Sequence, residues 1–266
     1  MSVVISASLV KELRDQTGAG MMECKRALQE TGGDLEAARK LLRERGMASA
    51  AKRAGRETTE GLVGYRISDA HGTMVAIGCE TEPVSKNEEF QAFAKRVLDV
   101  VDARGTEELA ELDEERQELI GKLGENIVVA GAARFEKVDG GVVNAYAHPP
   151  ANKLGAIVQL RRGSEKLARD VAMHIASTTV QWISRDEVPE DVVASEREIF
   201  ANSDEVQSKP ELAREKIVEG MLGKRFFGER VLLDSTWIHE TSKTVSQVLA
   251  DEGAEVLEFE RFDLRG

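Results

Sequence analysis

A chain of 266 residues is long enough for one large domain or two modest ones with a sizeable buried core, which excludes disorder as the dominant state. Its 36 Lys and Arg against 48 Asp and Glu leave a net charge of -12, a field that repels phosphate backbones and argues against a general nucleic-acid binder. Charged residues make up 32% and aromatics only 5%, and no apolar run approaches the roughly 20 residues that span a bilayer, so solvated helices around aliphatic cores are expected, without a membrane partner.

The opening segment MSVVISASLVKELRDQ has no basic stretch followed by a long apolar run and a small-residue cleavage site, so a cytoplasmic location is expected. Cys24 and Cys79 are remote from each other and belong to no CxxC pair, which predicts buried thiols. From Ser8 to Gly46 the pattern predicts three short helices. Leu9, Val10 and Leu13 form a stripe after a Ser8 cap, and Thr17 to Gly20 breaks it. Met21, Cys24 and Leu28 recur at i, i+3 and i+7 before Gly32 and Gly33. Asp34 caps a third helix in which Leu35, Ala38, Leu41 and Leu42 face inward until Gly46 stops it. So small a unit gains by docking on something. Met47 to Glu60 is expected to be a partly helical, solvated linker; its Lys52, Arg53 and Arg56 lack the interleaved aromatics that would stack on bases.

Beyond the linker one plan occurs twice. GLVGYRI (61–67), a DAHG turn and TMVAIGC (73–79) predict a hairpin, followed by a helix with Phe90, Phe93, Ala94, Val97, Leu98 and Val101 inward. A charged helix from about Glu107 to Leu123 and a short strand, Ile127 to Ala130, complete this first lobe. GVVNAYA (141–147), a PPANK turn and LGAIVQL (154–160) predict the second hairpin, with a helix facing inward through Leu167, Val171, Ile175 and Ala176. Between Asp186 and Gly228 a charge-dense stretch with helical spacing on both sides of Ser208, Lys209 and Pro210 predicts an inserted antiparallel helical hairpin. Trp237, a helix over Ser242 to Leu249 and a strand over Val256 to Phe262 return to the sheet. The fold class is therefore α+β: a three-helix unit, then a two-lobed repeated core.

Enzyme templates fail together. There is no GxxxxGK[ST] loop, GxSxG elbow or HExxH pair, and Gly18 and Gly20 are followed by Met21 and Met22 with no preceding strand. His71, His148, His174 and His239 are mutually remote, and surface or satisfied core roles are expected of them.

Two segments are more specific. LRDQTGAGMMECKRAL (13–28) closely resembles the N-terminal signature of the elongation factor Ts family, the guanine-nucleotide exchange factors for elongation factor Tu, and CETEPVSKNEEF (79–90) is similar to its second signature. The likeness continues through HP after NAYA, MHIAS (173–177) and SKTVSQVL (242–249), and so covers essentially the whole chain. The resemblance implies a ubiquitin-associated-like helical domain with its linker (1–55), a core lobe N (56–140), a core lobe C (141–185 and 229–266) and an inserted coiled-coil hairpin (186–228). It implies a non-enzymatic exchange factor that binds elongation factor Tu in its GDP-bound and nucleotide-free forms. Met21, Met22 and Lys25 would grip the partner's GTPase domain, His148 would meet another part of it, and Thr81, Glu82, Pro83 and Val84 would perturb its Mg²⁺ site. A helix turns about 100° per residue, so Met21 and Met22 cannot both point inward and one exposed methionine is expected. No cofactor or metal of the chain's own is implied, because the Mg²⁺ belongs to the partner. The hairpin leaves open a homodimer or a 2:2 complex.

The second signature usually reads Thr-Asp-Phe-Val, and this chain departs from it. Pro83 replaces the phenylalanine wedge and offers fixed φ but no ring, and Glu82 replaces the aspartate. Pro83 is expected to keep the segment rigid while Val84 supplies apolar contact; the other reading is a plain strand-terminating turn. Two further functions stand beside exchange: an interaction scaffold of the same fold, and an RNA-associated factor using Lys52, Arg53 and Arg56.

Overall fold

The computed structural model describes residues 5–265. Residues 1–4 and 266, at the outer edges of the first and last units set out above, lie outside it. Three helices come first: α1 (Ala7–Thr17), α2 (Met21–Glu30) and α3 (Leu35–Arg53). The cap of α1 is Ser6 rather than Ser8. Ser6 Oγ accepts from the Leu9 amide at 3.2 Å, while Ser8 already lies within the first turn. Gly18, at φ 67°, ends α1 in the left-handed conformation that a side chain would resist. Asp34 Oδ1 accepts from the Ala37 amide at 2.9 Å and so starts α3. Val10, Leu13, Cys24, Ala27, Leu28 and Ala38 form the small shared core, with Leu9, Leu41 and Leu42 at its margin.

The first lobe follows as β1 (Glu60–Ile67), β2 (His71–Cys79), α4 (Glu82–Ser85), α5 (Glu88–Arg104), a 3-10 segment (Thr106–Leu112), α6 (Asp113–Leu123) and β3 (Ile127–Glu136). The strands form an antiparallel sheet in the order β1-β2-β3. β3 is longer than the expected Ile127 to Ala130. It pairs with β2 from Cys79 opposite Ile127 to His71 opposite Glu136, across a bulge at Ala76/Ile77. Gly131, Ala132 and Ala133 have little strand propensity of their own, so this half of β3 owes its conformation to the ladder. Phe90, Phe93, Ala94, Val97 and Val101 of α5 are buried as the spacing predicts; Leu98 is only half-buried and Val100 joins the core.

Gly46 does not stop α3, which continues to Arg53, so residues 47–53 of the expected linker are helical. The glycine serves a crossing instead: a Cβ on Gly121 of α6 would sit 3.2 Å from the Gly46 Cα. The three-helix unit docks on the first lobe through this approach of two backbones, with Arg43 bridging to Glu114 and Glu118 beside it. Gly121→Val is expected to force α3 off α6 at a cost of about 2 kcal/mol. Limited proteolysis checks this: residues 47–59 should become cleavable while the core stays intact, and an unchanged digest would count against the crossing.

The second lobe contains β4 (Gly141–Ala147), β5 (Leu154–Arg161), α7 (Glu165–Ser177), α8 (Glu190–Ala201), α9 (Asp204–Gln207), α10 (Glu211–Met221), a π-wound segment (Leu222–Phe227), α11 (Gly228–Arg230), α12 (Val245–Asp251) and β6 (Glu255–Asp263). Its antiparallel sheet runs β4-β5-β6. α8 and α10 lie antiparallel, tied by Arg197 Nε to Glu219 at 2.9 Å, and the extra helical turn α9 fills the tip where a single break at Ser208 to Pro210 is expected. The insertion leaves and rejoins the lobe at one point, where Trp182 bridges Val231. It has its own small core around Val188, Val206, Val218, Leu222 and Phe226. α12 starts at Thr244 rather than Ser242, because Thr244 and Gln247 complete a reciprocal capping box.

The two sheets stack face to face. Val63, Met74, Ala76, Ala133 and Phe135 of the first meet Val143, Ala145 and Ile157 of the second, with Leu264. On the outer faces α5 covers Val75, Ile77 and Cys79, and α7 covers Ala156, Val158 and Leu160. β2 and β5 are thus buried on both sides, which is why TMVAIGC and LGAIVQL read as apolar runs rather than alternations. The fold class is α+β.

Candidate functional site

β2 makes its last ladder pairs at Cys79, opposite Glu60 and Ile127, and the chain then leaves the sheet. Thr81 precedes the single helical turn α4, with Pro83 in its first turn, where a missing N–H leaves no helix bond unmade. The segment is therefore one turn of helix at the strand's end, a form compatible with both readings of Thr81 to Val84. Thr81, Glu82 and Pro83 are exposed. Val84 is half-buried and packs on the first-lobe core, so most of its apolar contact goes to this chain. Lys86 Nζ lies 2.6 Å from Glu82 Oε1, a hydrogen bond that holds the Glu82 carboxyl below its ordinary range.

Residues from elsewhere hold the turn's root. Glu125 Oε2 accepts from the amides of Glu80 and Thr81 at 3.1 and 3.0 Å, and Glu125 Oε1 accepts from Thr81 Oγ1 at 2.5 Å. Glu80 Oε1 in turn accepts from the Asn126 amide at 2.6 Å, and Asn126 Nδ2 donates to the Arg56 carbonyl at 2.8 Å. The basic linker residue Arg56 also places Nη1 3.3 Å from Glu80. Three of these residues escape a reading of local patterns: Glu80 stands in the second signature without a role, and Glu125 and Asn126 are distant in sequence from what they hold, while Arg56 is read only as part of a solvated basic linker.

His148 is exposed at the end of β4, where Tyr146 Oη meets its Nδ1 at 2.9 Å. Its turn lies against β1, because the Val63 amide donates to the Asn152 carbonyl at 2.6 Å and Lys153 pairs with Glu60. Glu60 pairs in the ladder with Cys79, two residues before Thr81, so the His148 turn and α4 share one end of the core. Met21 and Met22, 56% and 63% exposed, both face solvent, where only one is expected. Cys24, Ala27 and Leu28 fill the inner face of α2, and its first turn overhangs the small core. Lys25 is exposed as well. The turn before Met21 reaches the first lobe. A Cβ at Gly18 would lie 2.0 Å from Lys122 Cε, and Lys122 Nζ bridges Glu89 at 2.5 Å in the first turn of α5, just after α4.

Burial pushes the Cys79 thiol up to about 12 and raises that of Cys24, so both are inert. His71 lies in a polar network, with Nε2 3.0 Å from Asp102 Oδ1, which also accepts from Thr73 Oγ1 at 3.0 Å. His174 is fully buried. Among the described residues no group of three or more His, Cys, Asp or Glu side chains is placed to hold a metal ion, and no helix is long and apolar enough to cross a membrane.

A family model described as elongation factor TS matches residues 80–265. The chain is 40% identical to elongation factor Ts of Thioalkalivibrio sulfidiphilus and to that of Methylococcus capsulatus, in each case over 98% of this chain and 92% of the relative. It is 38% identical to elongation factor Ts of Escherichia coli over 98% of this chain and 91% of that protein. A core of stacked sheets with exposed turns at one end, matched along its length in this way, defines a translation elongation factor. The chain belongs to the elongation factor Ts family.

Proposed function

We propose that the chain is a cytoplasmic guanine-nucleotide exchange factor, not an enzyme, which binds elongation factor Tu in its GDP-bound and nucleotide-free forms and promotes GDP release so that GTP can rebind. The units are those set out above: residues 1–55, 56–140, 141–185 with 229–266, and 186–228. Met21, Met22 and Lys25 dock on the partner's GTPase domain and His148 on another part of it, while Thr81 to Val84 approach its Mg²⁺ and phosphate site. The observation that carries this reading is the exposed α4 turn, tied to the core at its root, inside the stretch the family model matches.

Free-energy linkage supplies the mechanism. A protein that binds the form of its partner with distorted phosphate and Mg²⁺ contacts must weaken GDP, and GDP must weaken that protein by the same factor. No covalent step or titrating side chain of this chain is needed. With no ring at position 83, displacement rests on where the backbone of α4 is held and on the rigid Pro83.

Stopped-flow release of a fluorescent GDP analogue from elongation factor Tu at fixed Mg²⁺ tests the reading. Acceleration should rise with the concentration of this protein. Glu82→Ala combined with Pro83→Ala should reduce the limiting rate about tenfold, equivalent to ~1.4 kcal/mol of lost differential binding. Binding without acceleration by the unaltered chain would make it a scaffold instead.

A further inference from the structure

We propose that Glu125 is a positioning residue for nucleotide exchange, one whose carboxylate sets the direction in which the Thr81–Val84 turn leaves the sheet; this role rests on the exchange reading above. The ladder ends at Cys79, so the amides of Glu80 and Thr81 have no strand to pair with. Both donate to Glu125 Oε2, and the Thr81 hydroxyl donates to Glu125 Oε1. A threonine before a helical turn ordinarily caps it, its side-chain oxygen accepting from an amide of the first turn. Thr81 makes no such bond. Its hydroxyl is directed away, to a carboxylate 44 residues further along the chain. The turn is therefore aimed from outside rather than by its own cap.

Glu125 is itself well placed for this. It follows Gly124, whose left-handed backbone ends α6, and precedes Asn126, which is 2% exposed and anchored to the Arg56 carbonyl. Glu80 answers by accepting from the Asn126 amide, so two adjacent residues on each segment grip one another reciprocally. A carboxylate suits the place because three donors converge on it, and bonds to a charged acceptor are the stronger ones. Glutamine could keep both amide bonds through its oxygen and donate its NH₂ to Thr81 Oγ1, which then accepts, so only a truncated side chain removes the grip outright.

The test uses the full chain with Glu125→Ala and, separately, Thr81→Val, which removes only the hydroxyl bond. In Glu125→Ala the limiting rate of GDP release should fall about tenfold while affinity for nucleotide-free elongation factor Tu stays within about threefold, a loss confined to the step rather than to docking. Thr81→Val should lower the same rate about threefold. Hydrogen exchange at the Glu80 and Thr81 amides should quicken in Glu125→Ala while Ile77 and Cys79 stay protected. Release at the unaltered rate despite quickened amides would make the grip structural only, and unchanged amides would show that it does not form; either overturns the proposal. Should Glu125→Ala fail to fold, Thr81→Val decides, with an unaltered rate as the overturning result. If the unaltered chain does not accelerate release, the exchange reading falls and this role with it, whereas failure in the variants alone leaves that reading standing.

Discussion

Gly61→Ala is expected to destabilise the chain by about 4 kcal/mol, the sum of backbone strain and a clash that cannot relax. Gly61, the second residue of β1, has φ 141°, a conformation that only glycine adopts readily. A Cβ there would lie 2.0 Å from the Ile77 carbonyl oxygen, an atom of the central strand that cannot rotate away. The opposing residue is Gly78, where a Cβ would meet Thr58, so the chain arriving from α3 passes close over the sheet at that glycine. Gly140→Ala separates the two contributions. Gly140 has φ 68° with nothing within 4 Å of a Cβ, so strain alone applies and about 1 kcal/mol should be lost. Urea denaturation of both variants measures the difference, and a Gly61→Ala cost no larger than that of Gly140→Ala would refute the clash.

The second large effect is acid destabilisation through His174. The ring is fully buried on α7, stacked at 5.3 Å on Trp237, and its Nε2 lies 2.7 Å from Ser235 Oγ. The Ser235 hydroxyl also contacts the Leu232 carbonyl at 2.7 Å; if its proton goes there, Nε2 donates to Ser235 and the unpartnered Nδ1 is left as a bare lone pair. Burial, with the nearby His239 adding to it, lowers this imidazole from 6.5 to about 4. Between those values the unfolded chain binds a proton that the folded chain refuses. Stability is therefore full above pH 6.5 and is lost as pH falls toward 4, by about 3 kcal/mol in all. The carboxylates held low by their partners, Asp99 and Asp102 among them, lose their contributions only below their ordinary range. Chemical denaturation from pH 7 to 4.5 should show the slope in the unaltered chain and its flattening in His174→Gln. A level profile in the unaltered chain would contradict the assignment.

What the sequence made legible follows from where the physics is local. The α5 stripe and the apolar runs of β2 and β5 could be read because burial imposes a period or an unbroken run on consecutive residues. Gly46 was opaque: a glycine that ends a helix and one that lets two helices touch look alike until Gly121 is known to face it. The second half of β3 was hidden by its small residues, and the first turn of α2 by the assumption that a methionine on an apolar stripe has something to cover it. At the candidate site, the place of Thr81 to Val84 at the end of a core strand was legible from the strand signal before it. Its helical form was not, nor was its dependence on Glu125, because a hydrogen bond spanning 44 residues leaves no periodic trace.

Repetition of plan in the core does not amount to independence. Each sheet is the other's missing layer. Parted, the first would bare Val63, Met74 and Ala76, and the second Val143, Ala145 and Ile157, an apolar surface too broad to stay in water. The lobes therefore unfold as one cooperative body, and a severed half would find its complement on another copy, exchanging partners rather than standing alone.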